Sequence, residues 1–214
     1  MIFMKNKSLI PEILIFFLIF ICIIVPPFFS APLEIDRPLF TWTFPYRQLG
    51  LALFCLVLFI MSRELNTKKG FFFPGLFSLT FMFMVALLIK YFTKNAVPAY
   101  KNPLPDTNQE WFFCILTFIF SATYEEIIYR FYFSDALKRL IEYSPLRNQK
   151  LIYWISEIAG YLVFAFAHLY LGFAAVINAA CAHWALRFLY KKTNFIWNCV
   201  LVHFLYNIIS LILL

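Results

Sequence analysis

Charged residues are scarce in this sequence of 214 residues, at 14%, whereas hydrophobic residues make up 63%. An ordinary soluble domain is roughly half apolar and a quarter charged. Together with a mean hydropathy of +0.80, this excludes soluble and disordered chains, because a domain of this size cannot hide so much apolar surface from water. The composition predicts a polytopic membrane protein.

Cysteine and glycine are also few, at five residues each. None of the cysteines forms a CxxC motif and all fall inside apolar runs, which excludes a disulfide framework and a zinc-ribbon site; they are Cys22, Cys55, Cys114, Cys181 and Cys199. The few glycines, without a repeat, exclude a fibrous protein. The sequence also lacks the alternation typical of a membrane β-barrel, and we therefore predict an all-α fold.

Seven apolar stretches approach the length of about 20 residues that a helix needs to cross a bilayer core roughly 30 Å thick. They are Leu9–Phe29, Gln48–Met61, Phe71–Phe92, Trp111–Ser134, Leu151–His168, Leu171–Tyr190 and Phe195–Leu214. The prediction is a polytopic membrane helix bundle of about seven transmembrane helices. A three-span N-terminal region (1–110) and a four-span core (111–214) form a single integral-membrane domain.

The net charge of +7 is spread in small basic clusters between the apolar runs. This pattern is typical of loops that face an anionic cytoplasmic leaflet and predicts no nucleic acid partner. If the N-terminus is placed on the cytoplasmic side, most Lys and Arg residues outside the spans also fall on the cytoplasmic side. The positive-inside rule therefore predicts an N-in/C-out orientation. Bulky residues after Pro26-Pro27 make a poor signal-peptide cleavage site, so we expect the first span to be a retained signal-anchor.

Three of the late spans contain polar side chains that cost about 2.5–3.5 kcal/mol each at mid-membrane and mark function by default. Glu126 and Arg130 are four residues apart, which predicts an ion pair on one helix face. Glu125 is turned about 100° away and has no basic partner at helical spacing. Glu125 is therefore available for a catalytic site, where a carboxylate can serve as a general base.

The other two spans supply His168 and the pair His203 and Asn207. His203 and Asn207 are four residues apart and form a pair of donors for a developing oxyanion, while His168 can hold or polarise a water beside Glu125. At 1.5 Å per residue, Glu125 and His203 both lie about 12–14 Å from the cytoplasmic ends of their spans. We therefore expect them to meet.

The motifs Glu-Glu-x-x-x-Arg, Phe-x-x-x-His and His-x-x-x-Asn, on successive late helices from Glu125 to Asn207, resemble those of the CPBP family. That family includes CAAX prenyl endopeptidases, bacteriocin-processing or self-immunity proteins of the Abi type and lysostaphin-resistance-like proteins. The resemblance covers about Trp111 to Asn207. The first three spans match only in being hydrophobic.

The resemblance implies an intramembrane endopeptidase with a water activated by Glu125 and His168. His203 and Asn207 would then stabilise the oxyanion, with the site supported by three further residues, Glu126, Arg130 and Phe164. No cofactor is expected. A zinc ion held by Glu125, His168 and His203 is the alternative, because two histidines and a carboxylate form a known zinc set.

Two other functions stay open, a non-catalytic self-immunity or binding factor of the same family and an unrelated transporter. A transporter would show paired broken helices in two related halves, which the sequence lacks. The expected partners are the bilayer and a membrane-associated protein or peptide, with or without a lipid group. Glu157 is expected near the lipid head groups, where a carboxylate needs no special explanation, and Arg187 is predicted to snorkel. His183 and Asn178 are predicted to form hydrogen bonds within the bundle, with entry of His183 into the cavity as the alternative.

Overall fold

The computed structural model describes residues 9–30, 41–61, 70–93 and 103–213. It is a bundle of helices, and the described residues contain no strand, which confirms the predicted all-α membrane fold. This follows from the composition, because a helix satisfies its own backbone hydrogen bonds inside the bilayer. Many loop residues on which the N-in/C-out prediction depends lie outside the described residues.

Eight α-helices are described. Their bounds are α1 Leu9–Ile19, α2 Tyr46–Met61, α3 Phe72–Thr93, α4 Asn108–Glu125, α5 Ser134–Glu142, α6 Gln149–Phe166, α7 Phe173–Thr193 and α8 Ile196–Leu213. Among the described residues, six helical segments are long and apolar enough to cross a membrane. The predicted second span is α2, which has 16 residues and is shorter than the others.

The longest of these segments runs from Asn108 to Glu142 and has 35 residues. Thr107 begins it with a capping box, in which Glu110 N–H donates to Thr107 Oγ1 (3.2 Å) and Thr107 N–H donates to Glu110 Oε2 (3.1 Å). Between α4 and α5 the helix widens into a π-helical stretch, Glu126–Phe133. The sequence pattern predicts a regular helix here, and the structure differs from it. Pi-helical turns are frequent at functional sites.

Two tight turns join the last three helices. After α6 a 3₁₀ turn, Leu169–Leu171, leads to Gly172, whose φ of 91° is available to glycine because it has no Cβ. This turn explains how so short a link joins the fifth and sixth spans. After α7, Asn194 takes a left-handed conformation (φ 50°) and its N–H bonds to Tyr190 O (2.7 Å).

The N-terminal helices pack around the late helices that contain the predicted site. In α1, Phe16 stacks on Phe133 at 5.6 Å between ring centroids, and Glu12 forms an ion pair with Arg139 of α5. Helix α2 packs against α4, and α3 packs against α7 and α8. Many large apolar side chains on the outside are exposed, as expected for lipid-facing surfaces. All five cysteines are free, as predicted.

Candidate functional site

Glu126 lies at the centre of the polar cluster and is fully buried. Its Oε2 is 3.2 Å from Nε of Arg130, which confirms the predicted ion pair. Its Oε1 is 2.7 Å from Nδ1 of His203, on α8. This second contact was not predicted, because sequence spacing cannot show which residue of another helix lies opposite Glu126.

Arg130 is also fully buried. Its guanidinium lies over the ring of Phe164, 3.8 Å from the centroid, in a cation–π contact. Nη1 and Nη2 have no hydrogen-bond partner among the described residues. Phe164, which the resemblance implies as a supporting residue, thus contacts the arginine directly.

Glu125 lies on the other side of the same histidine. Its Oε2 is 4.0 Å from Nε2 of His203, and 17% of its side chain is exposed. Neighbouring Glu125 and Glu126 thus face the two ring nitrogens of one imidazole. The prediction that Glu125 has no basic partner within its own helix is correct, but α8 supplies a histidine.

His168 follows the end of α6 and does not lie within the helix. Its Nδ1 is 2.9 Å from Phe164 O, and its ring lies 4.8 Å from that of Phe164. When Nδ1 donates to this carbonyl, Nε2 is left as an acceptor. His168 also interacts electrostatically with Glu125 and with His203.

A cavity of about 150 Å³ lies beside these groups. Five of the seven sequence-predicted residues line it, namely Arg130, Phe164, His168, His203 and Asn207. Glu125 and Glu126 adjoin it through His203. The structure therefore brings all seven predicted residues together.

Two further polar residues line the same cavity, Asn178 on α7 and Tyr206 on α8. Asn178 Nδ2 donates to Tyr206 Oη at 2.9 Å. The predicted hydrogen bonding of Asn178 within the bundle is confirmed, but its position at the cavity was missed. The one available signal was that Tyr206 directly precedes Asn207 and follows His203 by three residues.

The zinc alternative needs three ligands around one point. Among the residues that the structure describes, no three His, Cys, Asp or Glu side chains are grouped closely enough to hold a metal ion. Nδ1 of His203 contacts Glu126 and Nδ1 of His168 contacts Phe164 O, which leaves Nε2 as the ring nitrogen that each histidine could offer to a metal ion. As these side chains stand, Glu125, His168 and His203 do not form the grouped ligand set that the zinc alternative requires.

The prediction for Arg187 is wrong. Arg187 is buried and does not snorkel. It donates to Glu157 through Nη2 (2.5 Å) and Nε (3.0 Å), to Asp135 (3.2 Å) and to the backbone carbonyl of Arg130. Glu157 is paired as well with Lys191 (2.8 Å). The sequence could not show this, because Arg187 lies on α7 whereas its partners lie on α6 and on the long helix Asn108–Glu142.

His183 is 2% exposed, and its ring lies 5.5 Å from that of Phe164. Its Nδ1 has no hydrogen-bond partner among the described residues, so the predicted hydrogen bond of His183 within the bundle is not made through that atom. It is not among the residues that line the cavity.

This arrangement defines a helical membrane protein with a buried glutamate–histidine cluster. The model for the family described as type II CAAX prenyl endopeptidase Rce1-like matches residues 107–209, which confirms the resemblance to the CPBP family. At the level of the family, the match supports an intramembrane protease. No curated protein and no solved structure matches this chain.

Proposed function

We propose that this chain is an intramembrane endopeptidase that hydrolyses a peptide bond in a membrane-associated protein or peptide. One observation supports this most directly. A histidine faces two adjacent glutamates, one fully buried and one partly exposed, beside a cavity that a second histidine and an asparagine also line. Such a set contains both a proton acceptor and donors for an anionic intermediate.

Glu125 and His168 activate the water. The Glu125 carboxylate is partly exposed and can accept a proton, and His168 Nε2 can hold the water as an acceptor. The water oxygen attacks the carbonyl carbon while one of its protons moves to Glu125. When the carbon–nitrogen bond breaks, Glu125 returns that proton to the leaving amine.

His203 and Asn207 stabilise the negative oxygen of the tetrahedral intermediate. Glu125, Glu126 and Arg130 together have one net negative charge, which a doubly protonated His203 balances. Nδ1–H then donates to Glu126, and Nε2–H is available to the oxyanion with the Asn207 amide. Removing one such donor in other enzymes lowers the rate about 10²–10³-fold.

Glu126, Arg130 and Phe164 orient this machinery. Glu126 fixes the His203 ring through a 2.7 Å contact, and Arg130 neutralises Glu126. Phe164 contacts Arg130 with its ring and accepts from His168 with its carbonyl oxygen. Phe164 thus positions both the Arg130 guanidinium and the His168 ring.

The substrate reaches the site from the bilayer. Alanine and leucine side chains form much of the rest of the cavity wall, which suits an apolar peptide with or without a lipid group. The low-glycine composition, rich in Phe, Ile, Lys and Asn, favours an AT-rich bacterium, and we therefore assign the protein to a bacterial cytoplasmic membrane. A self-immunity or binding factor without cleavage is the alternative.

The test compares Glu125→Gln with Glu142→Gln in native membranes. Glu142 is a sound control because it lies in the same long helix, is 36% exposed and has only a 3.8 Å contact with Lys138. Mass spectrometry would follow accumulating membrane peptides. We expect Glu125→Gln alone to abolish a defined cleavage. If both variants process every peptide as the wild type does while the cellular phenotype persists, the binding-factor alternative replaces the protease.

A further inference from the structure

A line of polar residues on α7 connects the site with the protein surface. His183, Arg187 and Lys191 lie at four-residue intervals and so share one helix face. At the outer end, Lys191 is 39% exposed and pairs with Glu157. In the middle, Arg187 pairs with Glu157 and donates to the backbone carbonyl of Arg130. The polar line therefore extends from the exposed Lys191 through Arg187 to Arg130, which pairs with Glu126.

The inner part of this line contains several polar atoms without partners. Among the described residues, Nη1 and Nη2 of Arg130, Nδ1 of His183 and Oγ of Ser134 have no hydrogen-bond partner. All three side chains are at most 2% exposed. Arg130 and His183 both contact Phe164. Gly160, one turn earlier on α6, faces Ser134, because an added Cβ would lie 2.3 Å from Ser134 Oγ. We call this group the inner seam: Arg130, Ser134, Gly160, Phe164 and His183.

Buried polar groups are nearly always hydrogen-bonded, either to protein or to ordered water. A buried water needs about two to four polar partners and a polar surrounding. The inner seam offers the guanidinium N–H groups as donors, the serine hydroxyl as both donor and acceptor, and one imidazole nitrogen. These groups come from two helices, the long helix Asn108–Glu142 and α7. Since they do not bond to one another, water is the partner that matches their chemistry.

We propose that the inner seam holds ordered water, exchanges it with the surface near Lys191, and supplies the water that the site consumes. Each hydrolysed peptide bond uses one water, and lipid surrounds the bundle. The presence of water in the seam does not depend on catalysis. Its use as the supply rests on the proposed function.

Radiolytic hydroxyl-radical labelling of the full chain in lipid nanodiscs tests the hydration directly. The radicals form from water and label side chains beside it. Cys114, fully buried among apolar residues, is the dry reference, although its thiol is intrinsically more reactive. We expect His183 to be labelled at least tenfold faster than Cys114. If His183 stays unlabelled while the partly exposed His168 is labelled, the seam is dry and the proposal is overturned.

His183→Leu and Ser134→Ala then test the supply, with thermal unfolding as the check that each variant folds. We expect each to lower the labelling of Phe164 severalfold and to slow cleavage about tenfold, whereas Glu142→Gln changes neither. Ser134→Ala removes one oxygen and keeps the proposal testable if His183→Leu does not fold. A variant that loses labelling but cleaves at the wild-type rate overturns the supply role. A labelled chain that cleaves nothing contradicts the proposed function instead and leaves the hydrated seam intact.

Discussion

Replacing Glu126 by Gln and Arg130 by Met, singly and together, tests the buried ion pair of the site. Both side chains are fully buried, and the charged atoms are 3.2 Å apart. Two unit charges at this separation attract by about 5 kcal/mol at an effective dielectric constant of about 20. Desolvation of both ions opposes this attraction, but removing one partner leaves the other charge buried and unpaired, at a typical cost of about 3–5 kcal/mol.

The two single substitutions should therefore destabilise the protein strongly, and the double substitution should cost much less than their sum. We expect a coupling free energy of about 3 kcal/mol, because the double variant contains neither buried charge. Arg130→Met should be the milder single change. His203 contacts Glu126 at 2.7 Å and, when protonated, can still neutralise it.

The same long helix supplies a matched control. Lys138 and Glu142 are also four residues apart, with 3.8 Å between their charged atoms, but they are 31% and 36% exposed. Exposed pairs are worth about 0–1 kcal/mol, so Lys138→Met and Glu142→Gln should be additive. Unfolding in bicelles with increasing SDS, followed by tryptophan fluorescence, measures both cycles. Equal coupling energies in the two cycles would refute the assignment of Glu126 and Arg130 as a buried charge pair.

Three further predictions concern the site and its support. Asn207→Ala should lower the cleavage rate about 10²–10³-fold by removing one oxyanion donor, measured on the peptides found with Glu125→Gln; a rate within twofold of the wild type would contradict this role. Arg187→Met should lower the free energy of unfolding by about 1–3 kcal/mol, because the partly buried Glu157 loses Arg187 and keeps only Lys191, and a loss below about 1 kcal/mol in the SDS assay would show that the network is dispensable. Chelators should leave the cleavage rate unchanged. If elemental analysis instead finds stoichiometric zinc and chelation abolishes cleavage, the zinc mechanism replaces the metal-free one.

The helical architecture could be predicted from the sequence because it depends on composition and run length. Within the described residues, every predicted span corresponds to a helix, although α2 is shorter than the usual crossing length. The π-helical stretch Glu126–Phe133 was not predictable in the same way. Hydrophobic periodicity averages over several turns, so one widened turn inside an apolar helix leaves little trace in the sequence.

The grouping of the seven candidate residues could also be predicted, but the contacts between helices could not. Spacing within a helix identifies Glu126 and Arg130 as partners, and this is observed. Contacts between helices depend on rotation and crossing angle, which no local pattern gives. The contact of Glu126 with His203 and the burial of Arg187 are both of this kind. The latter was predicted wrongly because an arginine near a helix end usually snorkels.

The balance of charge explains why this buried network can exist and where its chemistry lies. Around Arg187, two cations balance two anions. Arg187 pairs with both Asp135 and Glu157, and Lys191 also pairs with Glu157. Deeper in the bundle, Arg130 balances Glu126. The carboxylate left over among these groups is Glu125, which faces His203. This carboxylate is partly exposed and lies beside the cavity, where in the proposed mechanism it accepts a proton from water.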